Sequence, residues 1–343
     1  MEKITRIGMD TSKQIFQLHG VDTAEEPALR KKLRRSQVLP LFAKLPPTKV
    51  GLEACSGAHY WARELRALGH EVMLLPAQYV KPYVKRGKND AADAEAICEA
   101  MSRPSMRFVP VKTAEQQAAQ MLLGTRERLL RRRTQLSNAI RGYAAEFGHI
   151  IAKGLRNLGP LLARIEADTA LPELARSLFR AHAEEYRELE ARLCQIDAQV
   201  MAFHRNNELS RRLAQIPGVG PIGATILAIK VTDAHHFRSG RDFSAWIGLT
   251  PKDHSTAGRV RPGGITRAGD EMLRSVLVVG ATAVIRQIRC GRGQASNWLL
   301  ELVKRKTAKL AAVALANKTA RIAWRLMVSG QNYAPNRLQA ATA

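Results

Sequence analysis

Four carboxylates stand where they could share a metal ion. Asp10 directly follows the apolar run Ile7-Gly8-Met9, Glu53 ends the segment Thr48-Lys49-Val50-Gly51-Leu52, and Asp90 and Asp93 lie three residues apart. Three residues apart on a helix is one side of that helix, so four acids from three elements can converge at one edge of a sheet. Hard divalent cations such as Mg²⁺ take oxygen ligands, commonly a few carboxylates completed by water and substrate phosphate. Two such ions ~4 Å apart can activate an attacking oxygen and stabilise a leaving one in phosphoryl transfer. Taken singly, each acid also reads as a solvated surface charge, and Asp90 reads equally well as a helix-capping acid. Asp10 departs from that reading because an apolar strand leads straight into it.

A second group lies in Gly248-Leu249-Thr250-Pro251-Lys252-Asp253-His254-Ser255-Thr256-Ala257-Gly258-Arg259-Val260-Arg261. The Ser255 hydroxyl sits in a loop with Arg259, Arg261 and Arg267, whose guanidinium groups can clamp a phosphate and stabilise charge on it. A serine needs such help, and a base, to attack phosphorus. Without further context, a serine in a basic loop reads more readily as a phosphate-contacting hydroxyl. The turn Pro217-Gly218-Val219-Gly220 resembles the hairpin of a helix–hairpin–helix element, in which backbone N–H groups at Gly218 and Gly220 would meet a DNA phosphate. A plain glycine-rich turn between helices reads equally well there.

These residues must be positioned by folded elements, and the chain has the means. It has 343 residues, 45% of them hydrophobic, enough for two or three domains with buried cores. Lys and Arg number 54 against 30 Asp and Glu, a formal charge of +24. Such a surface repels itself unless a polyanion neutralises it, and nucleic acid is the usual one. No apolar run reaches the ~18 residues of a spanning helix, and Met1 to Arg6 lacks the apolar core of a secretion signal, so no membrane partner is expected. The four cysteines, at 55, 98, 194 and 290, have no metal-ligand spacing and read as reduced buried thiols. The opening strand, glycine and acid also fit an actin-like kinase, but the high positive charge and the four-acid set speak against a nucleotide kinase.

Strand patterns cover Ile4 to Met9, Gln14 to Val21, Thr48 to Glu53 and Glu71 to Leu75, with a helix from His59 to Leu68 stopped by Gly69. Asn89 caps a helix running from Ala91 to about Met101. That order gives an α/β layer with helices on a mixed sheet, spanning residues 1–112. Residues 113–205 read as a helical hairpin or coiled-coil arm, with helices from Thr113 to about Phe147 and Leu171 to Phe203 broken at Gly154 to Pro160. One apolar stripe runs through Leu122, Leu129, Leu130 and Leu136, the other through Leu174, Leu178, Leu189, Leu193 and Ile196. Arg126, Arg128, Arg131, Arg132 and Arg133 crowd one part of the arm, a candidate RNA-binding and dimer-contact surface. Residues 206–343 read as a mainly α-helical third domain, with Gly248 to Gly269 a long polar loop and apolar helices at Glu271 to Ile288 and Ala308 to Val328.

The order and spacing of these motifs resemble the IS110 family of insertion-sequence transposases, in particular its IS1111 branch. The carrying segments are Ile7-Gly8-Met9-Asp10, Leu52-Glu53-Ala54, Asn89-Asp90-Ala91-Ala92-Asp93-Ala94, Ile216-Pro217-Gly218-Val219-Gly220 and Gly248-Leu249-Thr250-Pro251 through Ala268-Gly269-Asp270. They reach across nearly the whole chain. The resemblance implies a RuvC-like, RNase H-type first domain whose Asp-Glu-Asp-Asp set falls on Asp10, Glu53, Asp90 and Asp93 and holds Mg²⁺ or Mn²⁺. It implies a C-terminal transposase domain with a serine nucleophile, a phosphoserine link to DNA, and strand exchange between donor and target DNA. It further implies a guide-type non-coding RNA encoded by the element, homodimers that assemble to tetramers with the metal site of one subunit beside the serine of another, and a cytoplasmic, nucleoid-associated protein. Counted forward from Gly248-Leu249-Thr250-Pro251 the family's serine falls on Thr256, and counted back from Gly269 it falls on Ser255; the residue type favours Ser255. The alternatives are a metal-only RuvC-like nuclease or junction resolvase, and a nucleic-acid-binding structural protein with a dead active site.

The charge alone generates a test. Binding to a nucleic acid should weaken on the order of 10³-fold or more between 50 and 200 mM salt if six or more phosphates are contacted. Fluorescence anisotropy over that range checks it, and a flat salt dependence would argue against a polyanion partner.

Overall fold

A computed structural model of the chain describes residues 4–11, 13–85, 89–254, 256, 259, 261–292 and 295–334. The chain divides into two compact units, residues 1–117 and 118–343.

The first unit is built on strands β1 (Arg6–Thr11), β2 (Ile15–Val21), β3 (Pro27–Arg34), β4 (Lys49–Glu53) and β5 (Glu71–Leu75), with helices α1 (Val38–Phe42), α2 (Ala58–Ala67), α3 (Ala77–Val80) and α4 (Asp90–Ala100). The sheet order is β3-β2-β1-β4-β5. The first three strands form an antiparallel meander, and β4 and β5 run parallel to β1. This is a mixed α/β layer with a five-stranded mixed sheet, compatible with a RuvC-like domain. One face is sealed by α2, where Trp61 meets the edge of Phe16 at 4.9 Å between centroids. α4 packs on the other face, over β1 and β2.

The approach of α4 to β1 is the tightest in this unit. A Cβ on Gly8 would lie 2.2 Å from the Ala94 carbonyl oxygen and 2.5 Å from the Cys98 amide nitrogen. One strand over, a Cβ on Gly51 would lie 2.8 Å from the Met101 sulfur. The paired strands bring Gly8 and Gly51 side by side. The two glycines thus open a groove into which the helix backbone sinks.

The second unit is helical apart from one small hairpin. Helices α5 (Ala114–Glu146, which begins at the end of the first unit), α6 (Leu158–Ala167) and α7 (Glu173–Asn206) share a core of Leu129, Leu136, Ile140, Leu161, Leu189 and Leu193. α5 and α7 run antiparallel: Arg126 pairs with Asp197 at 2.6 Å, Arg133 with Glu190 at 2.9 Å, and further along Tyr143 stacks on His182. Helices α8 (Glu208–Leu213), α9 (Pro221–Lys230), α10 (Gly240–Ile247), α11 (Glu271–Arg289), α12 (Asn297–Arg305) and α13 (Ala308–Ser329) form a separate core around Leu227, Phe243, Ile247 and Leu277. β6 (Pro251–Asp253) and β7 (Pro262–Ile265) pair as an antiparallel hairpin.

Several expectations need correction. β3 was not foreseen, because Pro27-Ala28-Leu29-Arg30-Lys31-Lys32-Leu33-Arg34 buries only Leu33 fully and lacks clean alternation. The break at Gly154 to Pro160 runs directly into α6, since Pro160 lies in the first turn, where a missing N–H costs nothing. The loop from Gly248 to Gly269 contains β6 and β7. Leu174 and Leu178 are 71% and 53% exposed and do not begin the apolar stripe of α7. Of the four thiols only Cys98 is buried. Arg126, Arg131, Arg132 and Arg133 all face carboxylates, so much of the arm's arginine crowding is already neutralised. Among the described residues no helix is long and apolar enough to cross a membrane.

The glycine groove generates a prediction. Gly8→Ala must push backbone against backbone and should cost about 2 kcal/mol or more, whereas Gly51→Ala meets only side chains, of Met101, Ile97 and Leu75, and should cost less, about 1 kcal/mol. Denaturant midpoints of the two variants check the order, and equal losses would contradict it.

Candidate metal centre

The groove also sets the acids. Side chains two residues apart on a strand share a face, so Asp10 follows Gly8, and Glu53 follows Gly51, on the face that α4 covers. The parallel register pairs Met9 with Leu52, which carries Asp10 and Glu53 to the same level at the C-terminal ends of β1 and β4. The helix begins there. Asn89 accepts a hydrogen bond from the Ala91 amide as N-cap, and Asp90 and Asp93 occupy the first turn, where the helix dipole favours negative charge. Carboxylate oxygens of Asp10, Asp90 and Asp93 lie within 4.8 Å of one another. Glu53 is outside that trio.

The electrostatics follow from the crowding. The Asp10 carboxyl is raised from 3.8 to about 6, first by its burial, then by the charges of Asp93 and Asp90; a hydrogen bond from the Thr11 backbone opposes the rise. Glu53 is raised by burial and then by Asp93, which places it within electrostatic reach of the group. A half-buried carboxylate pushed up by two others is a site that a divalent cation would relieve. Hard oxygen donors converging from a strand and a helix fit such an ion.

The second candidate group is positioned by glycines. Gly248 caps α10 in the left-handed conformation, and a Cβ there would lie 2.1 Å from the Ala268 carbonyl oxygen. Gly269 returns the favour: its Cβ would lie 1.9 Å from the Trp246 carbonyl oxygen. These contacts cinch the root of the β6–β7 hairpin. Asp270 then caps α11 at the Leu273 amide and pairs with Lys230 at 2.8 Å. Thr256 and Arg259 form an isolated bridge on the hairpin, and both are exposed. Arg261 is exposed, and Arg267 is exposed with its backbone at φ 57°. Ser255 lies outside the described residues.

Gly218 and Gly220 flank the turn between α8 and α9. Gly218 has φ 84°, and its backbone rests on Gly280 of α11, where a Cβ would lie 2.9 Å from the Gly280 carbonyl oxygen. This turn is therefore packed against α11 on the Gly218 side. Gly220 is the N-cap of α9, with open space where a Cβ would stand.

The sheet register reveals residues that sequence reasoning passed over. Asp10 pairs with Gln17, and Gln17 with Lys32, so Lys32 shares the face of Asp10. Arg30 and Arg34 flank Lys32 at the same parity, and all three are exposed. The signal was present as a run of five cations in Arg30-Lys31-Lys32-Leu33-Arg34-Arg35, but its relation to Asp10 depends on the strand pairing.

The raised Asp10 carboxyl has a consequence for stability. Its native form holds a proton more tightly than the unfolded chain, so the metal-free protein should lose stability as pH rises from about 4 to about 6 and change little above that from this source. Asp10→Asn should abolish that loss and make the metal-free protein more stable than wild type at pH 7. Mg²⁺ or Mn²⁺ should raise the melting temperature of the wild type and leave Asp10→Asn unmoved. Differential scanning fluorimetry in chelator and in metal checks both, and an equal metal response in the two proteins would remove Asp10 from the site.

Comparison with known proteins places this geometry in a family. Residues 7–147 match a family model of DEDD transposases of the IS110 group, and residues 210–295 match the model described as transposase IS116/IS110/IS902 family. The chain is 63% identical over 343 residues to the y4pF/y4sB protein of Sinorhizobium fredii, covering 100% of this chain and 89% of the relative. It is 38% identical over 330 residues to the transposase for insertion sequence element IS1328 of Yersinia enterocolitica, covering 96% and 98% of the two chains. It is 39% identical over 336 residues to the transposase for insertion sequence element IS1111A of Coxiella burnetii, covering 97% and 92%. The first model begins three residues before Asp10 and takes in all four acids, the second takes in the cinched hairpin, and with relatives matched nearly end to end the chain belongs to the IS110 family of transposases, enzymes that act on DNA.

Proposed function

We propose that this transposase cuts and rejoins DNA strands by a serine attack that its acidic cluster assists. The convergence of Asp10, Asp90 and Asp93 within 4.8 Å, beside Glu53, carries the reading. Those four residues would hold Mg²⁺ or Mn²⁺, which when bound neutralises the carboxylates and polarises a phosphodiester. Ser255 is the nucleophile. Its Oγ loses a proton and bonds to phosphorus, and one deoxyribose oxygen leaves and takes up a proton. A deoxyribose hydroxyl of the second DNA then attacks the same phosphorus and releases the serine. Two displacements conserve the bond energy, so no external energy source is needed. Arg259, Arg261 and Arg267 bind the phosphate and stabilise its extra negative charge in the transition state. The Gly218 to Gly220 turn binds a neighbouring DNA phosphate through the α9 N-terminus at Gly220, the side open to a ligand.

The +24 charge suits a protein that holds donor DNA, target DNA and a guide-type non-coding RNA together. The RNA selects both DNAs by base pairing, so the protein reads backbone and shape. Arg30, Lys32 and Arg34 extend the DNA-binding surface from the acidic cluster toward the sheet edge. The helical arm formed by residues 113–205 joins subunits into a dimer, and dimers assemble to a tetramer. The protein works in the cytoplasm on nucleoid DNA.

A stalled reaction should leave DNA joined to protein, visible on a denaturing gel and lost on protease digestion. Ser255→Ala should lose the adduct and recombination while still binding RNA and DNA, and Thr256→Ala should keep both. The reverse result moves the nucleophile to Thr256. Metal-dependent nicking with no adduct from either protein would instead establish a metal-only nuclease. Ribonuclease treatment should remove site-specific activity, and full recombination by RNA-free protein would refute the guide.

A further inference from the structure

The second unit holds a cavity of about 760 Å³ beneath the root of the β6–β7 hairpin. Its size falls within the range of small-molecule sites, roughly 300–1,000 Å³. Pro251 and Ile265, the paired residues at the hairpin root, form one wall. α12 and α13 form the others.

The lining has an unusual chemistry. Lys318 and Arg321 both face the cavity, and none of the described residues that line it is an acid. Trp298 presents an indole that is 39% exposed, with the Lys318 ammonium 4.3 Å from its ring centroid. Lys318 is held below the ordinary lysine range by burial and then by the charge of Arg321. Two partly buried cations without a carboxylate in the same cavity call for an anion from outside. Asn297 and Asn317 add amide groups to the wall, and Asn317 is held in place by donating to the Leu249 carbonyl at 3.2 Å. The first residues of α12 also line the cavity, so the positive end of that helix faces the same space as the two cations. A ligand that satisfies this lining is flat, aromatic and anionic.

We propose that this cavity receives one unstacked nucleotide of a DNA strand, with its base on Trp298 and its phosphate at Lys318 and Arg321. Single-stranded nucleic acid is commonly held in this way, by bases on aromatic side chains and backbone on cations. The position explains the use. A strand opened for exchange must have a base drawn out of its stack, and the hairpin root lies directly above the cavity. A free nucleotide has the same chemistry, and the test separates the two sources.

The test measures binding of the full chain in chelator, where cleavage is silent, so that its failure leaves the reading of the acidic cluster untouched. The probes are a 20-nucleotide single-stranded DNA, the same length of fully abasic strand, and deoxyadenosine monophosphate. Trp298→Ala should weaken binding of the normal strand by about 5- to 100-fold. It should leave the abasic strand unchanged, and Trp298→Phe should retain most of the affinity. Lys318→Gln with Arg321→Gln should reduce the salt slope for single-stranded DNA by about 1.4, the value for two phosphate contacts. The monophosphate should bind far more weakly than the strand. Equal loss on normal and abasic strands would show that Trp298 only supports the fold, and unchanged binding by both the Ala and the Phe variant would empty the cavity of this role. A monophosphate that binds as tightly as the strand would make this a free-nucleotide site and overturn the proposal.

Discussion

The first unit depends on how closely α4 lies against β1. With no side chain at Gly8, the helix backbone comes to within contact of the strand backbone. That approach lowers the first turn of α4 onto the strand ends, where Asp90 and Asp93 meet Asp10. The result is expensive for a metal-free protein, because burial and then the charges of Asp93 and Asp90 raise the Asp10 carboxyl to about 6. Close packing of apolar neighbours offsets that repulsion. Ile7, Met9 and Leu52 are fully buried on the opposite face of the sheet and Ile97 is fully buried under α4, so the strands and helix cannot drift apart without opening the core. Acids brought together on a soft scaffold would simply relax away from one another; these are held on rigid elements.

The second unit handles charge by a different arrangement. Along α5 and α7 the arginines meet acids across the helix pair, at Arg126–Asp197, Arg132–Glu185 and Arg133–Glu190. Partly exposed pairs of this kind add little stability, but they fix which residues face each other and so the register of the antiparallel pair. Lys318 and Arg321 instead line a cavity with no acid among its described residues. A net charge of +24 is therefore not spread evenly, and the unneutralised part marks where a polyanion can sit.

Much of this was legible in the sequence. The four apolar strand runs and the Asn89 cap carry their own signals, namely alternation, turn residues and a capping amide, and each led to the right element within a few residues. Asp10 was legible because an acid directly after an apolar strand is costly unless used. What was not legible depends on pairing. β3 is an edge strand with cations on both faces, so its sequence resembles a solvated loop until β2 is seen beside it. For the same reason Lys32 could not be related to Asp10, since that relation passes through Gln17 and two strand registers. Trp298 carried no signal of its own, because the residue it meets, Lys318, lies in α13.

The hairpin shows how a local irregularity limits what spacing can tell. Pro251 pairs with Ile265, but Asp253 pairs with Pro262, so β7 carries one residue more than β6 between the two pairs. The extra residue falls where Gly263 and Gly264 stand, residues that accommodate a bulge at little steric cost. The segment from Pro251 to Gly269 is one residue shorter than the two counts together require, so they overlap at Ser255 and Thr256. The glycine clamps at Gly248 and Gly269 fix both ends of the hairpin to the helical core. Where spacing is ambiguous by one, side-chain chemistry favours the serine. A primary serine hydroxyl reaches phosphorus with less crowding than the β-branched hydroxyl of threonine, whose extra methyl also restricts its rotamers.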